Sequence, residues 1–352
     1  MLKRFYLILF LTLCPLFAYG RNELKIQDLV RHNMQSGAIL IVHNGEILHD
    51  EAFGHSDTEK QRPNSPSIRF LIGSITKQFT ASAIIRLSEK GLIDLGKSLS
   101  SYLPEYKAKW ANEVTIHQLL SHTSGVPNYL DANGFTKAYE YPQTTQSLIK
   151  LIENMPLHFK PGSRFEYSGS GYNLLGAVIE NVTGLAYGEY LKKEFFIPLG
   201  MNFTTAPHKQ LLSELLNKAE GNSIAQSYDT PDGLSNDASD INMSMAFAEA
   251  CIIANTHDLY KWQKALYQGR AISKAGLEKM LTRHSRHYGY GTEISQDFGS
   301  EDVYLHTGRI GGYESLSLYD PLSETHIIIL SNQANTRIYQ LAKDIYSYIT
   351  IN

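Results

Sequence analysis

The apolar positions of this chain change rhythm three times. Near the start, Ala38-Ile-Leu-Ile-Val-His43 and Glu46-Ile-Leu-His-Asp-Glu-Ala-Phe-Gly54 flank Asn44-Gly45. Two strand-like runs joined by Asn-Gly predict a β-hairpin, because both turn residues tolerate positive φ. Before them, Ile26 to Met34 has the spacing of a short amphipathic helix; after them, residues 55–69 are polar and read as loop. From Ser74 the period lengthens to that of a helix. Phe79, Ala83, Ile84 and Leu87 share a face, and Lys90-Gly91 predicts the stop. Further helices are predicted at Thr115–Ser121, capped by Thr115, at Ser147–Met155, at Tyr172–Thr183 with Gly184 as its stop, at Ala186–Glu194, and at Thr256–Leu266, capped by Thr256. Residues 205–245 are polar and irregular. Strand-like runs then return at Tyr288–Ile294, Val303–His306, Glu314–Tyr319 and His326–Ser331, before a closing helix at Leu341–Ile349.

Strands at both ends with helices between predict an α/β (α+β) protein. One antiparallel sheet is built from both termini and flanked by helices, and a mostly helical region is inserted. The sheet part takes in about residues 21–75 and 270–352, the helical part about 76–269. Residues 1–20 stand outside this scheme. Lys3 and Arg4 precede an apolar run from Phe5 to Phe17, and Ala18-Tyr19-Gly20 places small residues at a cleavage site, which predicts a secretory signal peptide. The run is short for a membrane span. Leu11-Thr-Leu-Cys14 fails as a lipoprotein box because Leu13 is too bulky before the cysteine. The mature chain is then 21–352, secreted or periplasmic, with no stable membrane span.

Composition narrows the chemistry. Removal of residues 1–20 takes the formal charge from −3 to −5, and no basic patch is dense enough for nucleic acid. Of two cysteines, Cys251 alone remains, in a small and apolar setting that predicts a buried, inert thiol. Thirteen histidines include the pairs His284/His287 and His117/His122, but none has a zinc-site spacing, so no metal is expected.

The chemical signal is Phe70-Leu-Ile-Gly-Ser74-Ile-Thr-Lys77. Residues i and i+3 share a helix face, so the Ser74 hydroxyl and the Lys77 amine can meet in a first turn, where free backbone N–H groups favour negative charge. A serine beside an amine that can lose its proton is an activated nucleophile. The spacing alone is weak, since Ser147-Leu-Ile-Lys150 repeats it inside an ordinary helix. Two other stretches add context. Tyr167-Ser168-Gly169 lies on a Gly/Ser-rich loop just before a helix. His306-Thr307-Gly308-Arg309 follows one strand, precedes another, and can form the edge of a cleft.

With Ser74-x-x-Lys77, Tyr167-Ser168-x and His306-Thr307-Gly308 in this order, the chain resembles the serine β-lactamase and penicillin-recognising family, most of all its class C branch. That branch includes penicillin-binding carboxypeptidases, D-amino-acid peptidases and esterases. Leu119-Leu-Ser-His-Thr-Ser-Gly125, Pro198-Leu-Gly-Met201, Tyr288-Gly-Tyr-Gly291 and Leu330-Ser-Asn332 are similar too, and the match covers about residues 35–335. The resemblance implies a β-lactamase/transpeptidase-like fold and an acyl-enzyme on Ser74. Lys77, its pKa lowered by burial and nearby charge, takes the proton, and Tyr167 shares the relay. The backbone N–H groups of Ser74 and Arg309 form the oxyanion hole. His306, Thr307 and Gly308 hold substrate on the strand edge, Arg309 offers a cation to a substrate carboxylate, and Tyr129 lines the pocket. No cofactor is required.

Two departures stand out. Gly169 replaces the asparagine of Tyr-x-Asn, whose amide in the family holds a substrate amide and orders the lysine. His306 replaces the lysine of Lys-Thr-Gly. The expected function is therefore an exported serine hydrolase acting on a small ester, amide or D-amino-acid peptide-like substrate, peptidoglycan-like or otherwise, with β-lactams as one candidate. The alternative is a catalytically weakened penicillin-binding-like protein with a binding or scaffold role. The sequence carries no signal of oligomeric state.

Overall fold

The Asn44-Gly45 hairpin forms as predicted. Strands β1 (Gly37–His43) and β2 (Glu46–Phe53) pair antiparallel. Asn44 (φ 51°) and Gly45 (φ 81°) take the left-handed conformations that a two-residue turn requires. The structure, a computed structural model, describes residues 14–131, 144–207, 211–217, 223–228, 242–285, 287–299, 301–334 and 336–351. Residues 1–13, which hold most of the expected signal peptide, and much of the irregular 205–245 stretch lie outside the described residues.

The stretch after the hairpin is not all loop. β3 (His55–Asp57) pairs with β4 (Arg62–Pro63), and β5 (Phe70–Leu71), leading to Ser74, pairs with β6 (Ile253–Ala254). Four more strands follow: β7 (Glu293–Ser295), β8 (Val303–Ile310), β9 (Tyr313–Asp320) and β10 (Thr325–Ser331). The main sheet has six strands in the order β2-β1-β10-β9-β8-β7, every neighbour antiparallel. It is built from both ends of the chain, with Gly37 opposite Ser331 and Val42 opposite His326.

Alternate residues of a strand face opposite ways, and here both faces are covered. Ile39, Ile41, Leu316, Leu318, Ile327 and Ile329 pack against Ile26 and Val30 of the Cys14–Asn33 helix and Leu341 and Ile345 of the Ile338–Ile351 helix. Ala38, Leu40, Val42, Ile328 and Leu330 belong to the larger cluster on the other face, with Phe79, Ile84 and Trp262. Covering both faces makes β1 and β10 read as unbroken apolar runs. Each large side chain so buried contributes about 1.5–3 kcal/mol.

Several elements differ from the sequence expectation. The first helix runs from Cys14 to Asn33, well beyond Ile26–Met34. The Tyr288–Ile294 strand shrinks to β7, because Gly291 turns the chain at φ +61° and the Tyr290 N–H donates to Met280 O instead of a strand. The helix expected from Tyr172 begins at Gly169, capped by Ser168. Asn255, not Thr256, caps the Thr256–Tyr267 helix, accepting from the Asp258 N–H at 2.9 Å. His306-Thr307-Gly308 is not a link between strands but the interior of β8. β7 pairs with β8 only as far as Leu305, so from His306 to Ile310 the outer edge of β8 has no partner strand among the described residues.

Candidate active site

Ser74 lies in a 3-10 turn, Gly73–Ile75, that runs into the Thr76–Glu89 helix. Glycine makes this placement possible. Gly73 holds φ +50°, and a Cβ there would lie 2.7 Å from the Arg309 amide nitrogen. On the facing strand, a Cβ at Gly308 would lie 2.1 Å from the carbonyl oxygen of Ile72. The Ser74 turn and the open edge of β8 therefore meet as bare backbone.

One helical turn on, Lys77 is fully buried. Its Nζ donates to Ser74 Oγ at 2.9 Å, to Glu249 Oε2 at 3.0 Å and to the Glu249 carbonyl oxygen at 3.1 Å. Burial pushes the Lys77 pKa down, but its interactions with Tyr167 and Glu249 outweigh that, and the pKa is raised above the usual lysine range. The expected lowering is thus overturned: Lys77 rests as an ammonium.

The reason is Glu249, which sequence reasoning missed. It lies near the end of the Met243–Ala250 helix, just past Phe247, whose φ of 26° and ψ of −129° break the helical path. A bulky residue there is strained, and the bend turns both the carboxylate and the carbonyl of Glu249 to Lys77. Asn173 Oδ1 accepts the Glu249 N–H at 3.2 Å. A Cβ on Gly169 would lie 2.1 Å from Glu249 Oε2 and 2.5 Å from its Cδ. The space left by the missing residue-169 side chain is therefore filled by a carboxylate from another helix. The available signal was a lone acid in the otherwise apolar or small run from Met245 to Ala254.

Tyr129 is corrected by the same geometry. It does not line the cleft; it is buried behind it, with its hydroxyl 2.6 Å from Glu249 Oε1 and 2.8 Å from the Met245 carbonyl oxygen. Tyr167 lies where expected. Its ring centroid is 4.9 Å from Lys77 Nζ. Burial raises its pKa against the opposing pull of Lys77 and Ser74, so the phenol keeps its proton. His122 clamps this loop: its carbonyl accepts the Glu166 N–H at 2.9 Å, and its Nδ1 accepts the Ser168 N–H at 3.1 Å. Burial, with the charge of Lys77, holds His122 well below its usual pKa.

His306 is buried, and burial, reinforced by Lys77, pushes its pKa down to about 3. Its Nδ1–H donates to the Thr307 carbonyl at 2.6 Å, so Nε2 is left to accept from the Tyr288 hydroxyl at 2.9 Å. His306 is a neutral strut, not a substitute for the lysine charge. A cavity of about 680 Å³ brings together Ser74, Tyr167, Glu293, His306, Thr307, Gly308, Arg309, Glu314 and residues 336–340. The Arg309 side chain is 67 % exposed, with Nε 3.6 Å from Glu314 Oε1.

Other candidates fall away. Ser147 spends its hydroxyl on Thr144, donating to the carbonyl oxygen at 2.9 Å in an N-terminal capping box. Burial pushes the Cys251 thiol up, away from reactivity. Among the described residues, no group of three or more His, Cys, Asp or Glu is arranged to hold a metal, and no helix is long and apolar enough to cross a membrane.

Known proteins are similar to this chain. The putative penicillin-binding protein PbpX of Bacillus subtilis is 31 % identical over 333 residues, spanning 91 % of this chain and 78 % of its own. Penicillin-binding protein 4* of the same organism is 27 % identical over 319 residues, 87 % of this chain and 70 % of its own. The octameric penicillin-binding protein homologue from Pyrococcus abyssi superposes with a TM-score of 0.80 at 27 % identity, covering 95 % of this chain and 77 % of its own. D-amino acid amidase from Ochrobactrum anthropi, at 21 % identity, shares the fold with a TM-score of 0.80, covering 95 % of this chain and 99 % of its own. The family model described as Beta-lactamase matches residues 23–345, which include the whole sheet and every wall of the cleft, and the chain belongs to that family.

Proposed function

We propose that this protein is an exported serine hydrolase that forms an acyl-enzyme on Ser74 with a small ester, amide or D-amino-acid peptide-like substrate. The observation that carries the reading is the 2.9 Å bond between Lys77 Nζ and Ser74 Oγ on the wall of a cavity bounded by the open edge of β8. Ser74 Oγ attacks the substrate carbonyl carbon. Lys77 is already an ammonium, so it receives the serine proton while passing one of its own to Glu249 Oε2, 3.0 Å away. Lys77 keeps its charge beside the developing oxyanion, and the Glu249 carboxyl becomes neutral.

The amide N–H groups of Ser74 and Arg309 would hold the oxyanion; the two glycine contacts that bring the Ser74 turn against Arg309 support this. Each such donor is commonly worth about 10²–10³ in rate. Tyr167, protonated at rest, gives its proton to the leaving group and regains one from Glu249 through Lys77. Water then attacks the ester, the same relay runs in reverse, and free Ser74 is restored.

The test is labelling of Ser74 by a fluorophosphonate or penicillin probe, followed by turnover of nitrocefin, a D-Ala-D-Ala peptide and a short-chain ester. No labelling of folded protein, with Ser74→Ala behaving as wild type, overturns the reading. Steady ester hydrolysis excludes a purely binding role; an acylation burst without turnover favours it. N-terminal sequencing of the mature protein checks export, with a new terminus expected after Gly20.

A further inference from the structure

The cleft holds a carboxylate that the reaction above does not use. Glu293 begins β7 at the point where β8 loses its partner strand. Its side chain is 35 % exposed and reaches along the open edge, accepting hydrogen bonds from the Thr307 backbone and side chain. It lines the cavity that contains Ser74 and also an adjoining one of about 240 Å³ walled by Phe165, Tyr167 and Tyr288.

No cation among the described residues neutralises it. The nearest candidate, His306 Nδ1 at 3.9 Å, carries its proton on a bond to the Thr307 carbonyl and is neutral down to about pH 3. Lys77 is spent on Glu249, and Arg309 leans to Glu314. Burial raises the Glu293 pKa, and the bonds from Thr307 offset this only in part. A carboxylate in this state gains from any cation brought to it, through a charge-assisted hydrogen bond and the faces of nearby aromatic rings. A substrate carboxylate placed at Thr307 would instead have to displace Glu293 and sit against its charge.

We infer that Glu293 is a substrate-binding residue that recognises an ammonium group, so the preferred acyl donors carry a primary amine close to the scissile carbonyl. The inference rests on the acyl-enzyme reading and deepens it. It predicts discrimination by charge: amines are favoured over their neutral isosteres, and carboxylates are disfavoured.

The test is protection of Ser74 from a fluorophosphonate probe by 2-phenylethylammonium, by the isosteric 2-phenylethanol and by 3-phenylpropionate. In the wild type the ammonium protects at least about tenfold better than the alcohol, and the carboxylate protects least. Glu293→Gln keeps an acceptor for Thr307 and removes the charge. It abolishes the ammonium's advantage, leaves the alcohol within about twofold, and improves the carboxylate. Glu293→Asp, which keeps the charge, retains part of the preference. Thermal melts confirm that both variants fold. Equal protection by ammonium and alcohol, or an advantage that survives Glu293→Gln, overturns the inference alone. Failure of Ser74 to label at all overturns the acyl-enzyme reading beneath it.

Discussion

At Gly169 a side chain of any size collides with the Glu249 carboxylate, whose Oε2 lies 2.1 Å from the place a Cβ would take. The two positions should therefore behave as one unit. Gly169→Asn alone is expected to lower kcat/KM for a short-chain ester about 10²-fold, because displacing Glu249 displaces Lys77 from Ser74. Gly169→Asn combined with Glu249→Ala, which clears the space but also removes the proton acceptor, is expected to lose no more than Glu249→Ala alone. Steady-state kinetics on the single and double variants decide it; purely additive losses would contradict the coupling. Stability follows the same pair. Glu249→Ala leaves a buried ammonium without its partner and should cost about 3–5 kcal/mol in denaturant unfolding. Because the folded Lys77 pKa is raised above 10.5, the contribution of the pair is whole below pH 10.5 and is lost as pH rises through the folded value. Alkaline titration of stability should show that loss in the wild type and not in Glu249→Gln.

Among elements, the contact that matters most is between the Ser74 turn and β8. Gly308→Ala would drive a methyl into the Ile72 carbonyl and push the Arg309 amide away from Ser74. We expect kcat to fall about 10²-fold with a much smaller change in melting temperature. Equal loss of both would mean that the contact serves the fold and not the chemistry. This contact also shows what was readable. β1 and β10 announce themselves because both of their faces are apolar, β9 because Leu316 and Leu318 alternate with serines, and Ser74, Lys77 and Tyr167 lie where their motifs put them. The Thr307-Gly308-Arg309 half of β8 reads as a turn because its residues are polar or lack a side chain, and such residues suit an unpaired edge. Glu249 was invisible for another reason. Its partner, Lys77, is distant in sequence, and only the bend at Phe247 brings them together.

The whole molecule is expected to fail early in acid. His306 and His326 are held down to about 3 and about 4 by burial, and His122 well below its ordinary 6.5. Their unfolded forms bind protons from about pH 6.5 downward while the folded forms do not, so stability present above pH 6.5 is lost as pH falls toward 3. Melting temperatures recorded from pH 8 to 4 should drop steadily below 6.5, and His326→Asn should flatten part of the slope. A final consequence lies in the register of the sheet. Gly37 finds its partner in Ser331, and β1 has nothing to lie against on that side until β10 exists. During synthesis the first strand must therefore wait for almost the last, and the loop-closure entropy of that wait is large. In a nascent chain built this way the sheet cannot close until nearly all of the chain has been made.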